Sequence, residues 1–258
     1  MSDGWARSAA LSTESLEALL DNRIAAIAIP GFATRDECQA FAVALSDVPL
    51  QYYKVGRPAG YVGMTFIQYM RKGKEEYFEN VASAAENVRR VTSRSFDPVE
   101  RFIRRLGEGT NFSVSVAHEP GYGQYFAGII RILSGGNDIH IDFAPQFAKD
   151  HVVGRIAAQL TWNVYVDDAA SGGETTIWNR PWMPTGDPEQ DSRYPHFTRE
   201  ELAGAEAFAF KARAGDVMIF NSRNPHQVEV TGRSETLNRI GLGSFMGRAG
   251  ARELILWS

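Results

Sequence analysis

Cysteine is nearly missing from this chain of 258 residues: Cys38 is the single one. No internal disulfide can form, which fits a reducing compartment. Cys38 falls on the apolar face of an expected helix, where a thiol packs rather than reacts. No apolar run approaches the ~18 residues of a membrane span, and no charged-then-apolar leader opens the sequence; a soluble, cytoplasmic protein is expected. An excess of charge of one sign is also missing. The formal net charge of −4 gives no electrostatic reason to expect nucleic acid or another polyanion as partner. Histidine is rare, with five in all, so few combinations can build a site with two imidazoles. The remainder is ordinary: 44% apolar and 22% charged residues specify a globular core. The length suits one domain over 1–258 with a substantial N-terminal part.

The first part of the chain has helical periodicity. Ser12 or Thr13 can cap a helix carrying Leu16, Leu19 and Leu20, and a short β-rich run over 24–30 follows. Thr34 and Glu37 form a capping box for a helix with Cys38, Phe41, Ala42 and Leu45 on one face. The stretch 51–74 is mixed, with Arg57, Tyr61, Tyr69 and Arg71 among glycines, and reads as strand or loop able to cover a pocket. Helices are expected over 75–93, and from the cap Asp97 with Pro98 at its first position to about Gly107. They form a support layer of mainly helical character over 1–110.

After Gly107 the pattern changes to short strands at 111–117, 124–133, 138–143, 158–166, 174–178, 207–212, 217–220, 227–230 and 239–246, separated by turn residues. Many short strands at close spacing argue for a sandwich or barrel over 111–248. The polar, proline-bearing stretch 179–198 is an insertion long enough to be functional or mobile.

Within these strands lies His140-Ile141-Asp142. On an extended strand His140 and Asp142 share a face and Ile141 takes the other, which supplies two of the three ligands of a facial non-haem iron site. His226, beyond the strand launched by Gly215-Asp216, is the best third ligand; His118, His151 and His196 read as surface or hydrogen-bonded histidines. Farther on, Arg239 shares a strand face with Gly241 and Gly243, leaving room beside its guanidinium for a small carboxylate. A surface charge on an edge strand is the plainer alternative, but two flanking glycines weaken a strand without packing gain.

His140-x-Asp142, His226 and Arg239 together resemble the Fe(II)/2-oxoglutarate-dependent oxygenase superfamily. Leu160-Thr161-Trp162-Asn163-Val164-Tyr165, then Gly172-Gly173-Glu174-Thr175, and Gly215 to Phe220 are similar to core strands of that family. The resemblance covers about residues 120–246. It implies an α+β protein with a double-stranded β-helix (a cupin-like jelly roll) buttressed by the N-terminal helices. It also implies Fe(II) held by His140, Asp142 and His226, with 2-oxoglutarate and O2 taking the open positions. Decarboxylation of 2-oxoglutarate to succinate and CO2 is then coupled to C–H hydroxylation. By the same resemblance Arg239 binds the distal carboxylate of 2-oxoglutarate, with Arg233 as fallback, and Thr161, Asn163 and Tyr165 line the pocket.

The halogenase branch has Gly or Ala where this chain has Asp142, so hydroxylation is expected. The dealkylases of nucleic acids carry a second arginine six residues after the first, where this chain has Phe245. Chain length and layout are similar to small bacterial enzymes that hydroxylate or chlorinate free amino acids, lysine among them. A free amino acid, leading with a basic one, is therefore the expected small-molecule substrate. Glu119 would meet an ammonium group, Arg71 would meet a carboxylate, and Trp257 would close the pocket or anchor the terminus. Two alternatives stand beside this: a hydroxylase of protein or peptide side chains, and a non-catalytic jelly-roll binding protein. Nothing in the sequence sets the oligomeric state.

Overall fold

Helices gather up to Gly109 and strands after it, with four short strands among the helices. The computed structural model describes residues 4–53, 59–69, 72–167, 171–187, 196–211, 213–231 and 239–258. The elements run β1 (Ser8–Ala10), α1 (Thr13–Leu20), β2 (Ala26–Ile29), α2 (Arg35–Ser46), β3 (Gln51–Tyr52), β4 (Gly60–Val62), α3 (Lys74–Thr92), α4 (Pro98–Gly109) and β5 (Ser113–Val116). There follow β6 (His118–Glu119), β7 (Gly123–Gln124), β8 (Ile129–Ile132), α5 (Ala144–Phe147), β9 (Gln159–Tyr165), β10 (Glu174–Trp178) and β11 (Ala207–Lys211). The chain closes with β12 (Val217–Phe220), β13 (His226–Val228), β14 (Ile240–Gly250) and β15 (Glu253–Trp257).

The helix starts obey their caps. Ser12 accepts from the Ser15 amide, Thr34 and Glu37 close a reciprocal capping box, and Asp97 accepts from Val99 and Glu100 ahead of Pro98. Each cap satisfies amides that the first helical turn leaves without partners. Cys38 is buried on α2, as its place on the apolar face requires.

A large sheet runs β1-β2-β12-β9-β14-β8-β4-β3, and β15 pairs with the far half of β14 and with β5. Its ladders are antiparallel except for β1 with β2 and β5 with β15. A smaller sheet runs β11-β10-β13. Tyr165, Met218 and Phe220 of the large sheet pack with Ile177, Phe208 and Phe210 of the smaller one.

Strand alternation decides what β9 shows to each side. Leu160, Trp162 and Val164 join the core on the helical side, where the Trp162 ring stacks on Phe102 of α4 at 3.9 Å and 9°. Both rings are fully buried, each contributing about 2–3 kcal/mol of apolar burial. Thr161, Asn163 and Tyr165 take the opposite face.

Three expected elements differ. The stretch 138–143 is not a strand: His140 alone forms bridges, to His226 and His196, and the Asp142 amide donates instead to Ser222. The chain then turns into α5, which has a proline in its first turn. The terminal Glu253–Trp257 is a strand, and the expected strand 124–133 breaks into β7 and β8. Of the insertion 179–198, residues 188–195 lie outside those described. Its described part carries the His196 bridge and a backbone bond from Trp182 to Arg223.

Candidate active site

The loop from β12 into β13 carries the chain from the large sheet to the small one, and it is polar yet buried. Asn221, Ser222 and Asn224 are each 2% exposed or less; buried polar groups of this kind pair with neighbours, although Asn224 Oδ1 has no partner among the described residues. Ser222 pairs twice with the Asp142 backbone: its carbonyl accepts from the Asp142 amide at 2.8 Å and its hydroxyl donates to the Asp142 carbonyl at 3.0 Å. The Asn224 side-chain amide donates to Asn22 at 2.6 Å. His226 and His140 exchange backbone bonds at 2.9 and 3.2 Å, which holds the two imidazoles side by side with ring centroids 4.4 Å apart.

The tautomers follow from these contacts. Nδ1 of His140 lies 2.8 Å from the Asp138 carbonyl, and Nδ1 of His226 lies 3.0 Å from that of Asn224. A carbonyl can only accept, so each Nδ1 carries a proton and each Nε2 is the atom turned toward the common point. Both Nε2 atoms lie 3.6 Å from the same oxygen, Oδ2 of Asp142. The three ligand atoms fall within 4.8 Å of one another, the spacing of donors around one metal ion. Burial raises the Asp142 pKa, but the two imidazoles outweigh it and hold the carboxyl well below its usual range. Burial lowers both histidines; for His140 the Asp142 carboxylate prevails and the net shift is upward, while for His226 burial and the charge of His140 prevail.

Arg239 stands between the two sheets, 4% exposed. It is not on the strand with Gly241 and Gly243: its φ of 60° is left-handed, and β14 begins at Ile240. The turn swings its guanidinium toward the small sheet, where Nε donates to the Gly173 carbonyl at 2.9 Å and Nη2 to the Thr175 hydroxyl at 2.7 Å. The Tyr165 ring lies 5.4 Å from it. Among the described residues no carboxylate pairs with it, and burial lowers its pKa. A buried guanidinium held only by neutral groups calls for an anion. Gly243 does not leave open room as expected, since a Cβ there would meet the Trp162 backbone carbonyl at 2.3 Å and the Asn163 amide oxygen at 2.4 Å; the missing side chain accommodates the close approach of β9.

These groups line one cavity of about 890 Å3, reached from both sheets, α5 and the segment 59–69. His140, Asp142, His226, Arg239, Thr161, Asn163, Tyr165 and Trp257 are all brought to it. Trp257 is fully buried in β15, so it anchors that strand and faces the cavity together. Glu119 is not brought there. Its carboxylate is buried and occupied, accepting from Lys74 at 2.7 Å, from the Val152 amide at 2.8 Å and from the Tyr125 hydroxyl. An ammonium-binding role fails for want of access. Arg71 and Arg233 lie outside the described residues.

Several residues that build the site carry no motif: Ser222 and Asn224, Thr175 under Arg239, and Asn137, whose Oδ1 accepts from the Val228 amide at 2.6 Å. The run Asn221-Ser222-Arg223-Asn224 between two apolar strands was the available signal. His196 also lines the cavity, although sequence assigns it to a polar loop.

Two imidazoles and a carboxylate aimed at one point, with a buried guanidinium nearby, form the centre expected of an iron(II)/2-oxoglutarate oxygenase. Comparison with known proteins agrees. Residues 6–258 match the family model described as carrier-protein-independent halogenase WelO5. The chain is 30% identical over 223 residues to leucinostatins biosynthesis cluster protein S of Purpureocillium lilacinum, covering 80% of this chain and 89% of that one. It is 24% identical over 259 residues to the L-gamma-glutamyl-L-propargylglycine hydroxylase of Streptantibioticus cattleyicolor, covering 97% and 94%. An N-substituted L-amino acid dioxygenase from Burkholderia ambifaria shares the fold, with a TM-score of 0.58, 17% identity, and 95% and 91% of the two chains covered. The chain belongs to the WelO5 family, within the 2-oxoglutarate-dependent dioxygenases that use iron(II) and O2. No helix among the described residues is long and apolar enough to cross a membrane.

Proposed function

We propose that this chain is a hydroxylase of an amino acid or amino-acid derivative, built as one domain over 1–258 around a double-stranded β-helix. The two sheets sharing one cavity support the fold assignment. Iron(II) held there with 2-oxoglutarate and O2 would supply the oxidising power, with 2-oxoglutarate converted to succinate and CO2. The protein's part is to hold and orient. His140, Asp142 and His226 offer the metal one face, their order fixed by the Asp138 and Asn224 carbonyls and by Ser222. Arg239, with Thr175 and Tyr165 against it, receives the distal carboxylate of 2-oxoglutarate. Thr161 and Asn163 extend the same wall.

The observation that carries hydroxylation is the carboxylate itself. Oδ2 of Asp142 is equidistant from both imidazoles, so the position that a halide would need is taken by a protein ligand. The family description favours the second reading, halogenation. The hydroxylase among the relatives, acting on a γ-glutamyl amino acid, supports the first and an amino-acid-derived substrate. A free basic amino acid loses support, because Glu119 is sequestered away from the cavity.

Turnover of an amino-acid and γ-glutamyl dipeptide panel in chloride buffer, read by product mass, tests this. Hydroxylated product with stoichiometric succinate is expected, and Asp142→Gly should reduce it by on the order of 10- to 100-fold or more. Chlorinated product from the unmodified protein, or full activity in Asp142→Gly, would overturn the assignment.

A further inference from the structure

Besides Arg239, the cavity holds a second guanidinium, Arg131, on the same wall as His140. Arg131 is the third residue of β8 and half-buried. Its register fixes its direction: Tyr165 on β9 pairs with Gly241, Gly241 pairs with Arg131, and Arg131 pairs with Tyr61 on β4. Residues directly opposite one another across neighbouring strands project to the same side. Tyr165, Arg131 and Tyr61 therefore form one row on the cavity wall, and all three line it. Gly241 stands between Tyr165 and Arg131, and its absent side chain opens a gap in that row.

Arg131 has little to hold. Its Nε donates to the Tyr53 hydroxyl at 3.3 Å, and no carboxylate pairs with it among the described residues. The Nη fork is left for a ligand. Among the described residues the remaining lysine or arginine on the wall besides Arg239, Lys72, is already paired with Glu76 at 2.5 Å. The described carboxylates on the wall are Asp138 and Asp142, and Asp142 faces the two imidazoles. The wall beside Arg131 is aromatic, with Tyr53 and Tyr61 rings 4.7 Å apart and Phe66 and Tyr69 also lining the cavity. A volume of about 890 Å3 falls among sites of roughly 300–1,000 Å3 that bury a drug-sized ligand.

We infer that Arg131 is the anchor for a substrate carboxylate, and that the substrate class is an organic monocarboxylic acid with a bulky apolar or aromatic body. This rests on the oxygenase assignment above, in which Arg239 serves the cosubstrate. A planar fork steadied at Nε by the Tyr53 hydroxyl suits the two oxygens of a carboxylate. The aromatic faces accept the body of the acid, and the wall's poverty in free carboxylates disfavours a substrate with two ammonium groups.

The test uses the full chain loaded with Ni(II), which binds without turnover, and calorimetric titration. 2-Oxoglutarate is titrated first, and then, at saturation, N-acetyl-L-phenylalanine and N-acetyl-L-leucine, each against its primary amide. At least one acid is expected to bind tenfold or more tighter than its amide. Arg131→Met should abolish that preference, and Arg131→Lys should retain part of it. 2-Oxoglutarate affinity should stay within about twofold in both, with unchanged thermal unfolding as the folding control. Equal binding of acid and amide, no binding of either acid, or loss of 2-oxoglutarate affinity in Arg131→Met would each overturn the inference. Failure of the unmodified protein to bind 2-oxoglutarate would instead refute the oxygenase assignment, and the first titration reads that separately.

Discussion

Asp142 does two things: its carboxylate lies 3.6 Å from both imidazoles, completing the candidate metal-binding face, and its backbone pins that face to Ser222. The charge is secure because both imidazoles hold the carboxyl far below its ordinary range despite burial. Arg239 is the complementary case, a cation buried among neutral partners. Replacing it by methionine removes an anion's counter-charge without adding bulk. Arg239→Met is expected to weaken 2-oxoglutarate by on the order of 10²-fold, in line with about 2–5 kcal/mol for a buried charge pair. Arg239→Lys should restore only part, since a lysine cannot reproduce the forked contact to Gly173 and Thr175. Measuring 2-oxoglutarate affinity for the Ni(II) protein checks both variants; unchanged affinity in Arg239→Met would place the cosubstrate carboxylate elsewhere.

Elements come next. The Thr34–Glu37 capping box was legible because it needs only local spacing, and so was the Asp97-Pro98 start of α4. What spacing did not reveal is that Glu37 also reaches across to α4. Its carboxylate takes two contacts from Arg101, at 2.6 and 2.9 Å, and Arg101 donates as well to the Phe32 carbonyl. The Arg101 hydrogen bonds, opposed by burial and helped by the Thr34 amide, bring the Glu37 pKa from 4.5 down to about 2. A depressed carboxylate contributes its stability fully above the unfolded value, and the contribution fades as pH falls from about 4.5 toward about 2. Glu37→Gln should therefore cost about 1–2 kcal/mol at pH 7, with the gap to the unmodified protein narrowing by pH 3. Urea unfolding at the two pH values measures it; a gap that is constant or widens on acidification would contradict the assignment. The stretch around His140 was harder. Alternation placed His140 and Asp142 on one face, and they do converge, but by a bridge and a loop contact. Short polar segments between sheets take their shape from such tertiary bonds, which periodicity does not encode.

For the whole molecule, the order of helices then strands was readable, because the period of the apolar residues switches near Gly107. The metal-binding trio was readable because histidine is so scarce that His140 and His226 stood out. Strand order in the large sheet was not, since β12 lies between β2 and β9 through contacts distant in sequence. Nor was the fate of Glu119, a charge buried by Lys74 and Tyr125 from other elements, or the row that turns Arg131 inward. These are consequences of register, which only the assembled sheet defines. The central claim is that His140, Asp142 and His226 hold iron(II) beside a 2-oxoglutarate carboxylate bound at Arg239. Anaerobic titration of iron(II) into the protein with 2-oxoglutarate tests it most directly. A weak visible charge-transfer band saturating at one iron per chain is expected, absent in His226→Ala and present in Glu37→Gln. A colourless unmodified protein, or a band that persists undiminished in the His140→Ala, His226→Ala double variant, would contradict it.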